Sequence, residues 1–162
     1  KFDVITLWHA FEHLSLPEEY LIKIHDLLEK NRLLIIEVPN LNSWTRGLTH
    51  NHWLAWDLEH HIYFYTLNSL TTLLAKYNFK IKRINTFSLE YSTFTSTQSL
   101  VNYITNTDNF FFDWLQNKNF NSKIIWHILL FTILFPICFL INLLIFFSKR
   151  GEVINIIAKK NE

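Results

Sequence analysis

His9, Glu12 and His13 stand at the spacing H-x-x-E-H. Two imidazoles and a carboxylate so spaced can hold zinc when one helix carries all three, with the glutamate as base. That helix is not expected here. His9 follows the apolar run Phe2–Leu7 by two residues and precedes a helix-start signal at Ser15. A zinc hydrolase built on these residues is therefore the minor reading. The plainest alternative is structural, with Glu12 and His13 orienting neighbouring loops through hydrogen bonds.

The elements that would carry these residues are legible from Phe2 to Asn40. Phe2 to Leu7, with Val4, Ile5 and Thr6, predicts a strand buried on both faces. Ser15-Leu16-Pro17-Glu18 predicts a capping box, with Pro17 tolerated in the first turn. Tyr20, Leu21, Ile24, Leu27 and Leu28 recur at helical spacing and predict one apolar face. Leu33 to Val38 predicts a second buried strand, stopped by Pro39-Asn40. Strand, helix and strand make a right-handed βαβ unit and hence a parallel sheet. Beyond it, Leu41 to Tyr65 has no clean period, apart from a short helix predicted within Ser43 to Trp53. A connection of that length is often a lid or binding segment. Thr66 to Tyr77 predicts a helix with Thr66 as N-cap, Leu67, Leu70, Leu73 and Leu74 on one face, and Asn78 as its end. Phe79 to Ile84 alternates as a half-exposed strand, Gln98 to Ile104 and Phe110 to Leu115 are short helical segments, and Glu152 to Ala158 is a last strand in the same sheet.

FDVITLWHAFEHL followed by LLIIEVPN resembles the second half of a class I S-adenosylmethionine-dependent methyltransferase. Within that class it is similar to small bacterial enzymes with an EHL…EVPN pattern and a hydrophobic C-terminal segment. The resemblance implies a partial Rossmann-like α/β fold, mostly parallel with a final antiparallel strand, and S-adenosylmethionine as cofactor. Asn31-Arg32 departs from it, standing where such sequences place glycines, although Asn tolerates a left-handed helix cap. The family's glycine-rich cofactor loop is expected upstream of Lys1, which makes these residues a fragment that binds the cofactor poorly alone. Leu7, Trp8 and His9 are implied to lie beside the cofactor, at the carboxyl ends of parallel strands where open α/β sheets bind ligands. His13 is implied to position or deprotonate an acceptor hydroxyl, because imidazole titrates near neutral pH. DLEHHIYFYT matches a family segment with a histidine at the position of His61, which is taken as the second catalytic residue. His60 and His61 cannot both face one way in an extended segment. A metal site of Glu12, His13 and His61, lowering the acceptor's pKa, is the alternative, and no metal is the favoured reading. Asn40, Trp44 and Trp56 are expected on the acceptor side, with Trp53 a further aromatic that could line it. His25 reads as a surface residue, and His50 and His52 have no assignment.

Composition sets the remaining bounds. A net charge of +1 gives no basis for nucleic-acid binding. Cys138 is alone, so no intrachain disulfide forms and a reducing compartment is compatible. Hydrophobic residues make up 49% of the chain, and the excess sits in Ile124 to Phe147. That run passes the length criterion for a membrane span, ~18 residues, with Lys123 before it and Lys149-Arg150 after it. If the last strand returns to the sheet, both ends of the run lie on one side of a membrane. Pro136 near its middle then predicts a helical hairpin that anchors the protein at a membrane surface without crossing it. The predicted regions are 1–90 as methyltransferase core, 91–123 as a helical cap, 124–148 as the apolar hairpin, and 149–162 as the last strand and tail. The function expected is methylation of a hydroxyl on a small-molecule, glycan or lipid-linked acceptor at the cytoplasmic face of the inner membrane. The rival is a non-catalytic membrane-associated module that keeps the sheet.

Overall fold

The computed structural model describes residues 1–117 and 123–161. In chain order the elements are β1 (Phe2–Trp8), a 3₁₀ turn (Phe11–His13), α1 (Pro17–Leu27), β2 (Leu28–Pro39), α2 (Trp44–Thr49), a second 3₁₀ turn (His50–His52), α3 (Leu67–Lys76), β3 (Phe79–Asn85), α4 (Tyr91–Thr105), α5 (Phe110–Asn117), α6 (Lys123–Ile145), a third 3₁₀ turn (Phe146–Ser148) and β4 (Val153–Lys160). They form two compact units. One comprises Lys1–Leu41, Leu58–Thr86 and Val153–Glu162, and the other Asn42–Asp57 and Phe87–Glu152. The predicted cap region 91–123 falls in the second unit, with 118–122 outside the described residues.

The first unit is a four-stranded sheet in the order β1-β2-β4-β3. β1 and β2 are parallel, while β4 lies between β2 and β3 and runs antiparallel to both. Three strands thus share one direction and the last opposes them, as the sequence predicts. The core is apolar: Leu21 and Ile24 of α1, Leu34, Ile36 and Val38 of β2, Leu70 and Leu74 of α3, and Ile154 and Ile156 of β4. α3 starts where predicted, with a reciprocal cap between Thr66 and Ser69. Asn31, Asn78, Asn106 and Asn109 take left-handed φ of 65°, 61°, 51° and 53°. In a chain with two glycines, asparagine takes over that backbone task.

Several expectations are corrected. β1 is not buried on both faces, because it pairs only with β2 among the described residues and Phe2 and Val4 are exposed. The capping box at Ser15 does not form: Leu16 is the N-cap, with no side-chain hydrogen bond. Proline keeps the residue before it out of helical geometry, so Leu16 stays at φ −127° and ψ 65° and the helix starts at Pro17. Glu18 instead pairs with Lys76 at 3.0 Å. The face of α1 is narrower than predicted, since Tyr20 and Leu27 are exposed and Leu28 already belongs to β2. The run Ile124 to Phe147 is not a hairpin. α6 is one helix with Pro136 inside it. One missing backbone bond does not end a helix whose inward face is fixed on both sides, by His127 before the proline and by Cys138 and Asn142 after it.

The second unit is built on α4 and α6. Gln98 to Ile104 turns out to be the end of a longer helix, and the reason is chemical. Ser96, Thr97, Ser99 and Thr105 donate their hydroxyls to carbonyls four residues back, at 2.7–2.9 Å. These bonds let a Ser/Thr-rich segment stay helical while buried. The faces turned inward are polar. Asn142 of α6 accepts from the Trp44 indole at 2.9 Å and donates to Ser96 at 2.9 Å. Glu152, fully buried, accepts from Thr45 and from the Trp53 indole. Burial pushes its carboxyl up to about 7, against the opposing hydrogen bonds of Thr45, Trp53 and Ser43.

Candidate active site

The parallel register puts Trp8 of β1 beside Glu37 of β2, and Glu37 beside Asn155 of β4. β1 ends there, and His9 turns the chain with φ 45° while its N–H donates to the Glu37 carbonyl at 2.9 Å. A left-handed non-glycine residue costs on the order of 1–3 kcal/mol and needs surroundings that hold it. The 3₁₀ turn that follows buries Phe11, stacked on Tyr65 with centroids 5.4 Å apart, and buries Glu12 completely. His13, next along the turn, stays exposed.

The loop after Asp57 is stitched onto this turn. The Glu12 carbonyl accepts from Ile62 and Tyr63 at 3.0 and 3.1 Å, and the His60 carbonyl accepts from the His13 Nδ1–H at 2.9 Å. Those bonds bring His61 over the pair: its Nε2 is 3.9 Å from Glu12 Oε1, and its ring centre is 4.8 Å from that of His13. His9 bridges two carboxylates, with Nδ1 3.5 Å from Glu12 and Nε2 3.3 Å from Glu37. Asn155 holds the other Glu37 oxygen at 2.8 Å. Burial alone would lower the His9 pKa, but the hydrogen bonds and charges of Glu12 and Glu37 outweigh it and raise the group to about 9.

The zinc-protease geometry is absent, since His9 precedes the turn and the three residues share no helix. His9, His13 and His61 do meet around Glu12. Leu7 is half-buried under the end of β1, and Trp8 is 54% exposed. Asn40 is buried and pairs with Tyr65 in an isolated parallel bridge. Trp44 and Trp56 belong to the other unit. There the Trp44 indole bonds to Asn142, while Trp56 donates to the His50 carbonyl at 2.7 Å with Arg46 over its ring. Sequence reasoning missed Glu37 and Asn155. A glutamate inside LLIIEVP was the available signal, because a buried charge in an apolar strand requires a partner.

A family model described as methyltransferase domain matches residues 1–84, just over half of the chain. The chain belongs to that methyltransferase family. A search of the curated proteins finds no match. Among solved structures, a protein of Galdieria sulphuraria assigned as a sarcosine dimethylglycine methyltransferase is 10% identical, with a TM-score of 0.53 over 99% of this chain and 54% of its own. A protein of Bacillus halodurans assigned as a methyltransferase is 15% identical, at 0.49, over 100% of this chain and 65% of its own. Phosphoethanolamine N-methyltransferase 2 of Haemonchus contortus, in complex with S-adenosylhomocysteine, is 12% identical, at 0.46, over 99% of this chain and 33% of its own. The methyltransferase chain thus spans between a third and two thirds of the length of these structures. It has their Rossmann-like fold, and the methyl donor of that family is S-adenosylmethionine.

Proposed function

We propose that the protein transfers a methyl group from S-adenosylmethionine to a hydroxyl of a glycan or lipid-linked acceptor at the cytoplasmic face of a membrane. The observation that carries this reading is the convergence of His13 and His61 on Glu12 at the carboxyl end of β1 in a methyltransferase sheet. The sulfonium supplies an already activated methyl, so the acceptor oxygen bonds to its carbon as the carbon–sulfur bond breaks and sulfur keeps the electron pair. What remains for the protein is positioning and removal of the acceptor's proton. Trp8, an aromatic ring left open at a strand end, fits the flat adenosyl group, with Leu7 and His9 on either side of it in sequence. In this reading His13 or His61, whose rings lie beside the buried Glu12, takes the acceptor's proton.

The membrane part rests on the second unit. α6, Lys123–Ile145, is long and apolar enough to cross a bilayer, yet only 11% of its apolar window is buried. Its outer face carries Ile125, Trp126, Ile133, Leu140 and Leu144 in the open. β3 and β4 lie in one sheet, so a single crossing by α6 alone would leave β4 on the wrong side. A helix lying at the surface meets both conditions, with Lys149 and Arg150 able to attract anionic headgroups, each worth about 1 kcal/mol.

The test uses the full chain with labelled S-adenosylmethionine and membrane-extracted glycan and lipid acceptors. His61→Ala should lower turnover by ~10²–10⁴-fold and leave cofactor affinity, measured by calorimetry, nearly unchanged. Cofactor binding with unchanged turnover would remove His61 from the chemistry. No cofactor binding by the intact protein would favour the non-catalytic module.

A further inference from the structure

We infer that Tyr63 is the floor of an acceptor subsite, on which a pyranose ring of the acceptor stacks by its C–H face beside His13. The inference rests on the methyltransferase reading and names the substrate class taken at that site.

A column of rings leads from the core to the surface. Phe11, fully buried, stacks on Tyr65 with centroids 5.4 Å apart and planes 26° from parallel. Tyr65, itself buried, stacks in turn on Tyr63 at 6.1 Å and 29°. Tyr63, the outermost ring, is 39% exposed. Tyr65 backs one side of it, so the column can be extended only from the solvent side.

The ring is also fixed in place beside the histidines. The Tyr63 N–H donates to the Glu12 carbonyl at 3.1 Å, and its hydroxyl donates to the Ser15 carbonyl at 3.4 Å. The side chain therefore runs along the segment from Glu12 to Ser15, which carries the exposed His13. An aromatic surface held before the ligand arrives costs little further ordering on binding.

The chemistry of the floor selects its occupant. The face of an aromatic ring is its negative side and disfavours a second aromatic laid squarely on it. It accepts polarised C–H groups instead. A pyranose offers those on its face and hydroxyls around its edge, where the His13 imidazole can meet one of them. An acyl chain would use the ring but leave the polar groups beside it unpaired.

The experiment is saturation-transfer NMR on the full chain, without cofactor. The probes are methyl hexopyranosides of gluco, galacto and manno configuration, with sorbitol as a polyol that has no ring. Transfer to the ring C–H protons of at least one pyranoside is expected, and none to sorbitol. Tyr63→Trp should keep the signal. Tyr63→Ile, which still covers Tyr65 but has no aromatic face, should weaken binding by about tenfold. Thermal melting checks that the isoleucine variant folds. In turnover with a glycan acceptor, that variant should raise KM by the same factor and leave kcat nearly unchanged. No transfer to any pyranoside in the unaltered protein would overturn the subsite whatever the variants do. Equal transfer to sorbitol, or equal transfer in folded Tyr63→Ile, would also overturn it. Calorimetric binding of S-adenosylmethionine alongside such a result would leave the methyltransferase reading standing, so the two failures are distinct.

Discussion

The two units differ in how much polar surface they bury. In the sheet unit the interior is mostly Leu, Ile, Val and Phe, with Glu12, Glu37 and Asn40 the buried polar groups near the candidate site. In the helical unit Val101, Phe111, Ile124 and Cys138 are buried together with Thr45, Ser96, Gln98, Ser99, Asn102, Asn142 and Glu152, while isoleucines, leucines and Trp126 cover the outside of α6. One rule generates both arrangements. A chain buries what its surroundings solvate poorly, and water and hydrocarbon reject different groups. The apolar outer face of α6 is what supports the proposed membrane contact.

Breaking the outer face of α6 should have the largest effect. Leu140 is 59% exposed, so Leu140→Lys costs little inside the protein. In lipid a lysine at a helix centre costs ~2.5–3.5 kcal/mol. Binding to anionic phospholipid vesicles, measured by co-sedimentation, should fall by about 100-fold with the sheet unit's melting unchanged. Unchanged sedimentation would mean that α6 is covered by something other than lipid.

A smaller effect sharpens the contrast inside the units. Asn142→Leu makes the helical interior more apolar, a change that would stabilise an ordinary core. Here it strands the Trp44 indole and the Ser96 hydroxyl, both bonded to Asn142 at 2.9 Å. A loss of ~1–3 kcal/mol in detergent-solubilised unfolding is expected. A gain would erase the distinction drawn between the units.

The smallest effect is a pH dependence confined to the helical unit. The Glu152 carboxyl is raised to about 7 in the folded chain from an ordinary 4.5, where Thr45, Trp53 and Ser43 face it and Cys138 lies within its field. A raised pKa means the folded state holds the proton more tightly. Its contribution is therefore complete below pH 4.5 and disappears as pH rises through about 7. Glu152→Gln should flatten the stability profile across that window. An unaltered profile between the two proteins would show that Glu152 is not the titrating group.

Much of the sheet unit was legible because its signals are local. Val4–Thr6 and Leu33–Val38 read as strands from apolar runs, α3 from its Thr66 cap and leucine spacing, and the family from EHL…EVPN. The histidines were legible as residue types, and His61 was singled out from a family segment. Their meeting was offered only as the metal-site alternative of the family resemblance, not from the residues' own spacing. Ile62 and Tyr63 reach the Glu12 carbonyl across some fifty residues of chain, and that loop pairing alone sets His61 beside His13. Glu37 and Asn155 were hidden for the same reason: their partnership exists only because β4 enters between β2 and β3.

The apolar run shows the division most clearly. Composition determined that Lys123–Ile145 is helical and could be lipid-exposed, since nothing in it requires water. Composition also suggested a break at Pro136, because proline removes one backbone bond. Tertiary structure decided otherwise. His127, Cys138 and Asn142, which look in sequence like interruptions of an apolar helix, are its buried face. Polar groups pack there because α4 and Trp44 offer them partners, and partners come from elsewhere in the chain. Sequence sets which groups need partners, and only the fold brings those partners within bonding distance.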